Sequence, residues 1–527
     1  MATALTYGTL VLMAATLLNR LLSFYNQIVL MRYIGAETVG LFQMIYPVYI
    51  LLLVAATFGI PVALTKRIAE EAAYNRWGNV RRLMKVSVLL LVAGGMAVTA
   101  AAFLLSRSLF PALVADDRAV TAFWPLLPSI VLISFASAIR SFCQGMQEMA
   151  PSSIASFVEQ VVRIVSGISL ALVLLPRGAG WAAAGMTLGI TLGELFGLVT
   201  LLIFASPLFF SRLKLFWAGY RARATISTGQ ALRSLWPVAC PVAASRIAAC
   251  LIMGLDAYLI PRVLQQAGLS LSEATTAFGS LVGGLVPLIA IPAVFTAPLS
   301  VSLVPGIAES WALKQERTVR YRAVKALRLT AVIGWPAAVL LGIIGDRFAS
   351  LFFGLDHMGD TIQILAWGAP FFYLQSTTGG ILQGLGMVVF PLLVTVATSL
   401  LRVGLFLTLA TLPSVGLNGI AYGFTISNIL AALLHLFWFH RRLGLTGREL
   451  SSSLLPLPAA LVAAAGLWVC LQVTAFAGRS DVTALVAMVA IMGILYFVTL
   501  AAYGGLTAAD LRSFPGGVWL LGWLRKK

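Results

Sequence analysis

Runs of eighteen or more mostly apolar residues recur from one end of this 527-residue chain to the other. Each is long enough to cross the hydrocarbon core of a bilayer as a helix. Within that core every backbone N–H and C=O needs an internal partner, so only helices and closed barrels span it. Runs of this length specify helices. Fourteen spans are expected, near residues 8–30, 40–65, 86–106, 123–144, 152–175, 181–205, 236–260, 277–303, 327–345, 361–384, 388–411, 417–438, 454–476 and 483–505. Composition agrees: 10% of the residues are charged, where a soluble domain has about 25%. The expected fold is an all-α polytopic membrane protein.

The net charge of +18 would suit nucleic acid, but its placement follows the membrane. With the N-terminus inside, the cytoplasmic loops and tail hold 24 Lys and Arg against 7 acids, and the outer loops hold 7 Arg and 8 acids. That is the positive-inside pattern, and it puts both termini in the cytoplasm. Basic inner loops favour anionic membrane lipids. No nucleic-acid partner is expected, because no aromatic platform accompanies the charge. The opening MATALTYG lacks a basic region, and the apolar run after it is too long for a signal peptide. Cys143, Cys240, Cys250 and Cys470 fall within or at the ends of spans without CxxC spacing, and read as small apolar residues.

Shifted by 239 residues, the sequence meets itself: Ile68-Ala69-Glu70 falls on Ile307-Ala308-Glu309, Val80-Arg81 on Val319-Arg320, Gln144-Gly145 on Gln383-Gly384, and Arg163 on Arg402. At a smaller offset Asn19-Arg20 falls on Ser245-Arg246. The repeat implies two six-helix lobes in the same orientation, related by a pseudo-twofold along the membrane normal. The expected domains are an N-terminal lobe over 1–210, a basic cytoplasmic linker over 211–235 and a C-terminal lobe over 236–440. Residues 441–527 add two extra helices and a basic tail.

The first span carries a polar face. At 100° per residue, Thr16, Asn19, Arg20, Ser23, Asn26 and Gln27 fall within about 120° of arc. Such a face lines water, a ligand or a partner helix. The seventh span repeats the theme with Ser245, Arg246 and Asp256, the last two roughly 15 Å apart along the axis. Arg20 and Arg246, at matching positions of the two lobes, suit a divalent anion, because guanidinium binds phosphate bidentately and stays charged. Arg402, on a face with Thr395, Thr398 and Ser399, is a third candidate ligand. Glu159 and Arg163 are spaced for an ion pair within one helix, and Arg140 is expected to snorkel to the cytoplasmic interface. Glu194 shares a face with Thr187 and Thr191; it is either a proton or cation site or a paired core carboxylate. The loop DHMGD (356–360) reads as solvated rather than as a metal site. No cofactor, no metal site and no catalytic constellation is expected, so the chain does not read as an enzyme.

Two segments carry a family. "NRLLSFYNQIVLMRYIGAETVGLFQMIYPVYILLLVAATFGIPVALTKRIAE" and "FGSLVGGLVPLIAIPAVFTAPLSVSLVPGIAES" resemble the two lobes of the stage V sporulation protein B family. That family lies in the superfamily of MATE exporters, polysaccharide-unit flippases and MurJ-type lipid II flippases. The resemblance implies a flippase that moves an undecaprenyl-pyrophosphate-linked saccharide across the cytoplasmic membrane by alternating access, with a role in sporulation. It implies that Arg20 contributes to a cationic cavity for the pyrophosphate and that 454–505 form a groove for the lipid tail. Where relatives usually carry a second basic residue, this chain has Asn26 and Gln27. Asp256 matches an aspartate that, in some MurJ-type relatives, binds sodium together with acidic or amide partners on the eleventh span; here that span departs from the pattern and offers only Thr395, Thr398 and Ser399.

The leading expectation is therefore a flippase for a lipid II-type peptidoglycan precursor. Arg20, Arg246 and Arg402 would hold the pyrophosphate, and Asn19, Ser23, Asn26, Gln27 and Ser245 would line the cavity. Asp256 and Glu194 are candidates for Na+ or H+ coupling, and cell-wall synthesis enzymes are candidate partners. The alternatives are a MATE-like cation or drug exporter, an envelope glycosyltransferase, and a non-transporting scaffold for cell-wall assembly.

Overall fold

The computed structural model describes residues 18–221, 224–387, 389–446, 449, 454, 456–473 and 482–503, and every regular element among them is helical. Thr16, the start of the first span and the basic tail lie outside the described residues. Helix α1, residues 18–34, ends in a π-turn over Leu30–Ile34. Gly35 follows at φ 96°, a conformation open to glycine, and the chain enters α2 (Ala36–Thr57). Gly59 at φ 69° separates it from α3 (Ile60–Ala73), whose first turn holds Pro61, where a missing N–H costs nothing.

There follow α4 (Trp77–Leu113), α5 (Leu127–Gly145), α6 (Ala150–Leu174), α7 (Ala179–Arg221) and α8 (Thr228–Gln266). Helix α9 (Leu271–Gly279) opens with a capping box of Ser270 and Glu273 and runs into a π-stretch, Ser280–Leu285. Then come α10 (Ala293–Ala312), α11 (Glu316–Phe348), α12 (Gly359–Gly384), α13 (Val389–Leu409), α14 (Gly416–Leu443), α15 (Pro456–Val473) and α16 (Val482–Ala502).

Ten helical stretches among the described residues are long and apolar enough to cross a membrane. The other expected spans are helical too, each with a reason to look weaker. The first is described only from residue 18. The eighth is divided by the π-stretch and a turn over 290–292, the tenth (α12) carries Asp360, Gln363, Gln375 and Gln383, and the thirteenth has a short apolar core, Pro456–Cys470.

The repeat recurs in backbone detail at the 239-residue offset. Helix ends Ala73 and Gly145 correspond to Ala312 and Gly384, and starts Trp77 and Ala150 to Glu316 and Val389. Left-handed residues recur too, Asn75 with Lys314 (both φ 56°) and Gln147 (φ 60°) with Gly386 (φ 79°). A Cβ on Gly145 would lie 2.9 Å from the Thr65 carbonyl oxygen and 2.8 Å from the Ile68 side chain; one on Gly384 would meet the Val304 carbonyl at 2.9 Å and the Ile307 side chain at 3.0 Å. Both lobes thus use a glycine to seat the fourth span on the second.

Contacts divide the described chain at a different place from the repeat. One compact unit comprises Met1–Gln265 with Leu269–Gly283, the other Gln266–Gly268 with Gly284–Lys527. Helices α8 and α9, assigned by the repeat to the C-terminal lobe, therefore group with the N-terminal unit. The reason is local. A Cβ on Gly279 would fall 1.9 Å from the Ala36 carbonyl oxygen, so α9 and the start of α2 touch backbone to backbone. Glu37 accepts a hydrogen bond from Ser272 at 2.5 Å, and Asp116 accepts one from Thr275 at 3.0 Å. In the second unit, α15 and α16 pack on α11. Ala459, Ala460, Ala463, Met488, Met492 and Tyr496 bury against Ala331, Val332 and Trp335, and the Tyr496 hydroxyl donates to the Val332 carbonyl at 2.9 Å.

Candidate functional site

The polar face of α1 opens onto a cavity of about 290 Å3 within the N-terminal unit. Ser23, Asn26 and Gln27 line it, while Leu21 and Tyr25 on the opposite face are exposed. Facing them across the cavity are Gln43 and Tyr46 of α2 and Gln160 and Arg163 of α6. Hydrogen bonds tie the wall together. Gln160 donates to the Ser23 hydroxyl at 3.1 Å, Ser23 to the Asn19 carbonyl at 2.8 Å, and the Gln27 amide to the Gly283 carbonyl at 2.5 Å. The α1 face is thus both a cavity wall and an interhelical contact. Asn19 is half-buried next to it, and its Oδ1 has no hydrogen-bond partner among the described residues.

Arg163 has carboxylates on its other side. Its Nη2 donates to Glu159, one turn earlier on α6, and to Glu194 of α7 at 2.9 Å. Glu159 also accepts from Arg140 of α5 at 2.5 Å. The Glu159 and Glu194 side chains are 12% and 7% exposed, so both carboxylates are desolvated and each needs its cation. The expected Glu159–Arg163 pair is present. Arg140, expected to snorkel, instead turns inward, because Glu159 offers it a buried partner. Glu194 is a paired carboxylate in this arrangement. Thr187 donates to the Ala184 carbonyl and Thr191 to that of Pro125, so neither hydroxyl serves Glu194.

The spacing of glycines builds this cluster. Gly185, Gly189, Gly193 and Gly197 form one stripe on α7, the small-residue pattern that lets membrane helices approach closely. A Cβ on Gly189 would lie 2.3 Å from Gly167 Cα, and one on Gly193 2.8 Å from the Glu159 carbonyl oxygen. The resulting approach of α6 and α7 brings Glu194 within reach of Arg163.

The remaining candidates are spread more widely. Arg20 is exposed on α1, one turn before Ser23, and does not line the cavity. Arg246 is exposed on α8, and Ser245, half-buried beside it, donates to the Val242 carbonyl at 2.9 Å. Asp256 is half-buried further along the same helix. Arg402 belongs to the second unit, where its guanidinium sits 4.7 Å from the centroid of the Phe424 ring. Thr395 and Thr398 donate to carbonyls of their own helix, at 2.8 and 2.9 Å, and Ser399 is buried. In the DHMGD loop Asp356 accepts a hydrogen bond from Ser350 at 2.5 Å. Gln43, Tyr46, Gln160 and Arg163 are the wall residues that the charge-based reading missed or assigned elsewhere. Their signal was the three-residue spacing of each pair, which puts a polar doublet on one helical face.

A helical polytopic membrane protein with a hydrogen-bonding cavity among its spans has the plan of a membrane transporter. The polysaccharide biosynthesis protein family model matches residues 5–311, and the MatE model matches 270–408. The chain is 30% identical to stage V sporulation protein B of Bacillus subtilis (strain 168) over 432 residues, 81% of this chain and 82% of that one. It is 24% identical to the lipid II flippase MurJ of the same organism over 403 residues, 73% of each. A solved structure of lipid II flippase MurJ in an inward closed conformation superposes with a TM-score of 0.66 at 13% identity, covering 94% of this chain and 98% of that one. The chain belongs to the stage V sporulation protein B family, within the superfamily that includes the MATE transporters.

Proposed function

We propose that this protein is a flippase that carries an undecaprenyl-pyrophosphate-linked saccharide, of the lipid II type, across the bacterial cytoplasmic membrane by alternating access. The observation that supports it most is the cavity wall: one arginine, Arg163, stands among amides and hydroxyls of Ser23, Asn26, Gln27, Gln43, Tyr46 and Gln160. A guanidinium recognises a phosphate bidentately, and neutral donors and acceptors suit sugar hydroxyls. The kinship with the lipid II flippase of Bacillus subtilis points to the same substrate class. Arg20, Arg246 and Arg402 are the further cationic contacts of the proposed path. Helices α15 and α16 would hold the lipid tail, and the positive-inside pattern of the loops supports cytoplasmic termini. The described residues lining the cavity include no carboxylate, which weighs against a cation exporter.

The test is reconstitution of the full chain into liposomes containing fluorescent lipid II, following the label as it becomes accessible across the bilayer. Transfer well above that of empty liposomes is expected. Transfer no faster than in empty liposomes would remove lipid II as the substrate.

A further inference from the structure

Arg163 belongs to two sites at once. One side of its guanidinium reaches the cavity, and the other is held by Glu159 and Glu194. Two arginines and two glutamates balance when all are ionised. The balance fails when an anion in the cavity takes hydrogen bonds from Arg163. Glu159 keeps Arg140 at 2.5 Å, but Glu194 is bridged only to Arg163 among the described ion pairs. It would then be a carboxylate at 7% exposure within hydrogen-bonding reach of a second one, Glu159. An unpaired ion in such a place neutralises itself by changing protonation state.

We infer that binding of a phosphate-bearing anion at Arg163 is coupled to uptake of one proton by Glu194. The inference rests on the proposed anion-carrying role of the cavity and adds a protonation step to it. The balance is simple: the Glu194 carboxylate takes a proton from water and becomes a neutral acid, while Arg163 stays charged and exchanges one anionic partner for another. The neutral acid can still donate to Glu159. The other groups near the cluster do not supply the proton's place: Tyr46 of α2 lines the cavity and Tyr49 accepts from Ser129, both phenols that take up no proton near neutral pH; Arg140 remains on Glu159, and Cys250 of α8 acts electrostatically on Tyr46. One substrate headgroup and one proton thus occupy the N-terminal unit together.

The experiment is calorimetric titration of the full-length protein in lipid nanodiscs with a diphosphate diester carrying one N-acetylglucosamine and a short prenyl chain, whose phosphates keep a fixed charge near neutral pH. Runs at one mildly alkaline pH, where Glu194 is ionised before the anion arrives, in two buffers of different ionisation heat give the protons taken up per anion bound. The wild type is expected to take up about one proton there, and its affinity to weaken about tenfold per pH unit across the alkaline range. Glu194→Gln is expected to bind with an affinity independent of pH and with no uptake. Binding by wild type without proton uptake, or undiminished uptake by Glu194→Gln, would overturn the coupling and leave the flippase reading standing. No binding of the diester by wild type would overturn both.

Discussion

Asp116 shows how a single residue can hold several elements. Its side chain is fully buried and accepts hydrogen bonds from the backbone and guanidinium of Arg118 and from Thr275. Arg118 reaches on to Glu37 at 2.8 Å. Burial alone would push the Asp116 carboxyl up; the bonds from Arg118 and Thr275 outweigh it and hold the group below the ordinary carboxylate value. A carboxyl whose folded value is depressed contributes stability that is complete above its unfolded value, about 3.9, and is lost as pH falls below it. Asp116→Asn should therefore lower stability by about 1–3 kcal/mol at neutral pH. Thermal unfolding of both proteins across pH checks it: the gap should be constant above about pH 5 and close on acidification.

At the scale of the element, the α6–α7 pair decides whether the charge cluster can exist. The α7 glycine stripe has no slack at its centre, where a Cβ on Gly189 would overlap Gly167 Cα. Gly189→Ala must separate the helices, and overpacking of this kind costs about 1–3 kcal/mol while pulling Glu194 from Arg163. Gly229→Ala, in the first turn of α8 with nothing within 4 Å of the added atom, should be neutral or mildly stabilising because alanine favours helix. Parallel melting of the two variants in detergent separates these outcomes. The stripe is legible in the sequence as a four-residue glycine spacing, but that spacing does not name the helix it packs against. Glu159 and Arg163 were legible as a pair because both lie on one helix. The contributions of Arg140 and Glu194 depend on how close three helices come, which linear spacing does not encode.

For the whole molecule, hydropathy was enough to reveal the helices, because a bilayer leaves a chain so few choices. The repeat was legible from rare residues such as Gln144-Gly145 and Gln383-Gly384, and its cause is now visible as the same glycine contact made twice. What was not legible is the grouping of α8 and α9 with the N-terminal unit, since it rests on Gly279, Ser272 and Thr275 meeting residues more than 150 positions away. Nor did the first-span arginine disclose that the cavity's own cation is Arg163. The central claim, that Arg163 serves the cargo rather than only the fold, is tested most directly by transfer of fluorescent lipid II in liposomes by wild type and by the double variant Arg163→Gln/Glu194→Gln. The double variant removes one charge of each sign and leaves the Arg140–Glu159 pair intact, so it should fold and reconstitute. The account predicts that it moves lipid II at least about tenfold more slowly than wild type, as expected for the loss of a charge-assisted contact. Transfer at the wild-type rate would contradict it.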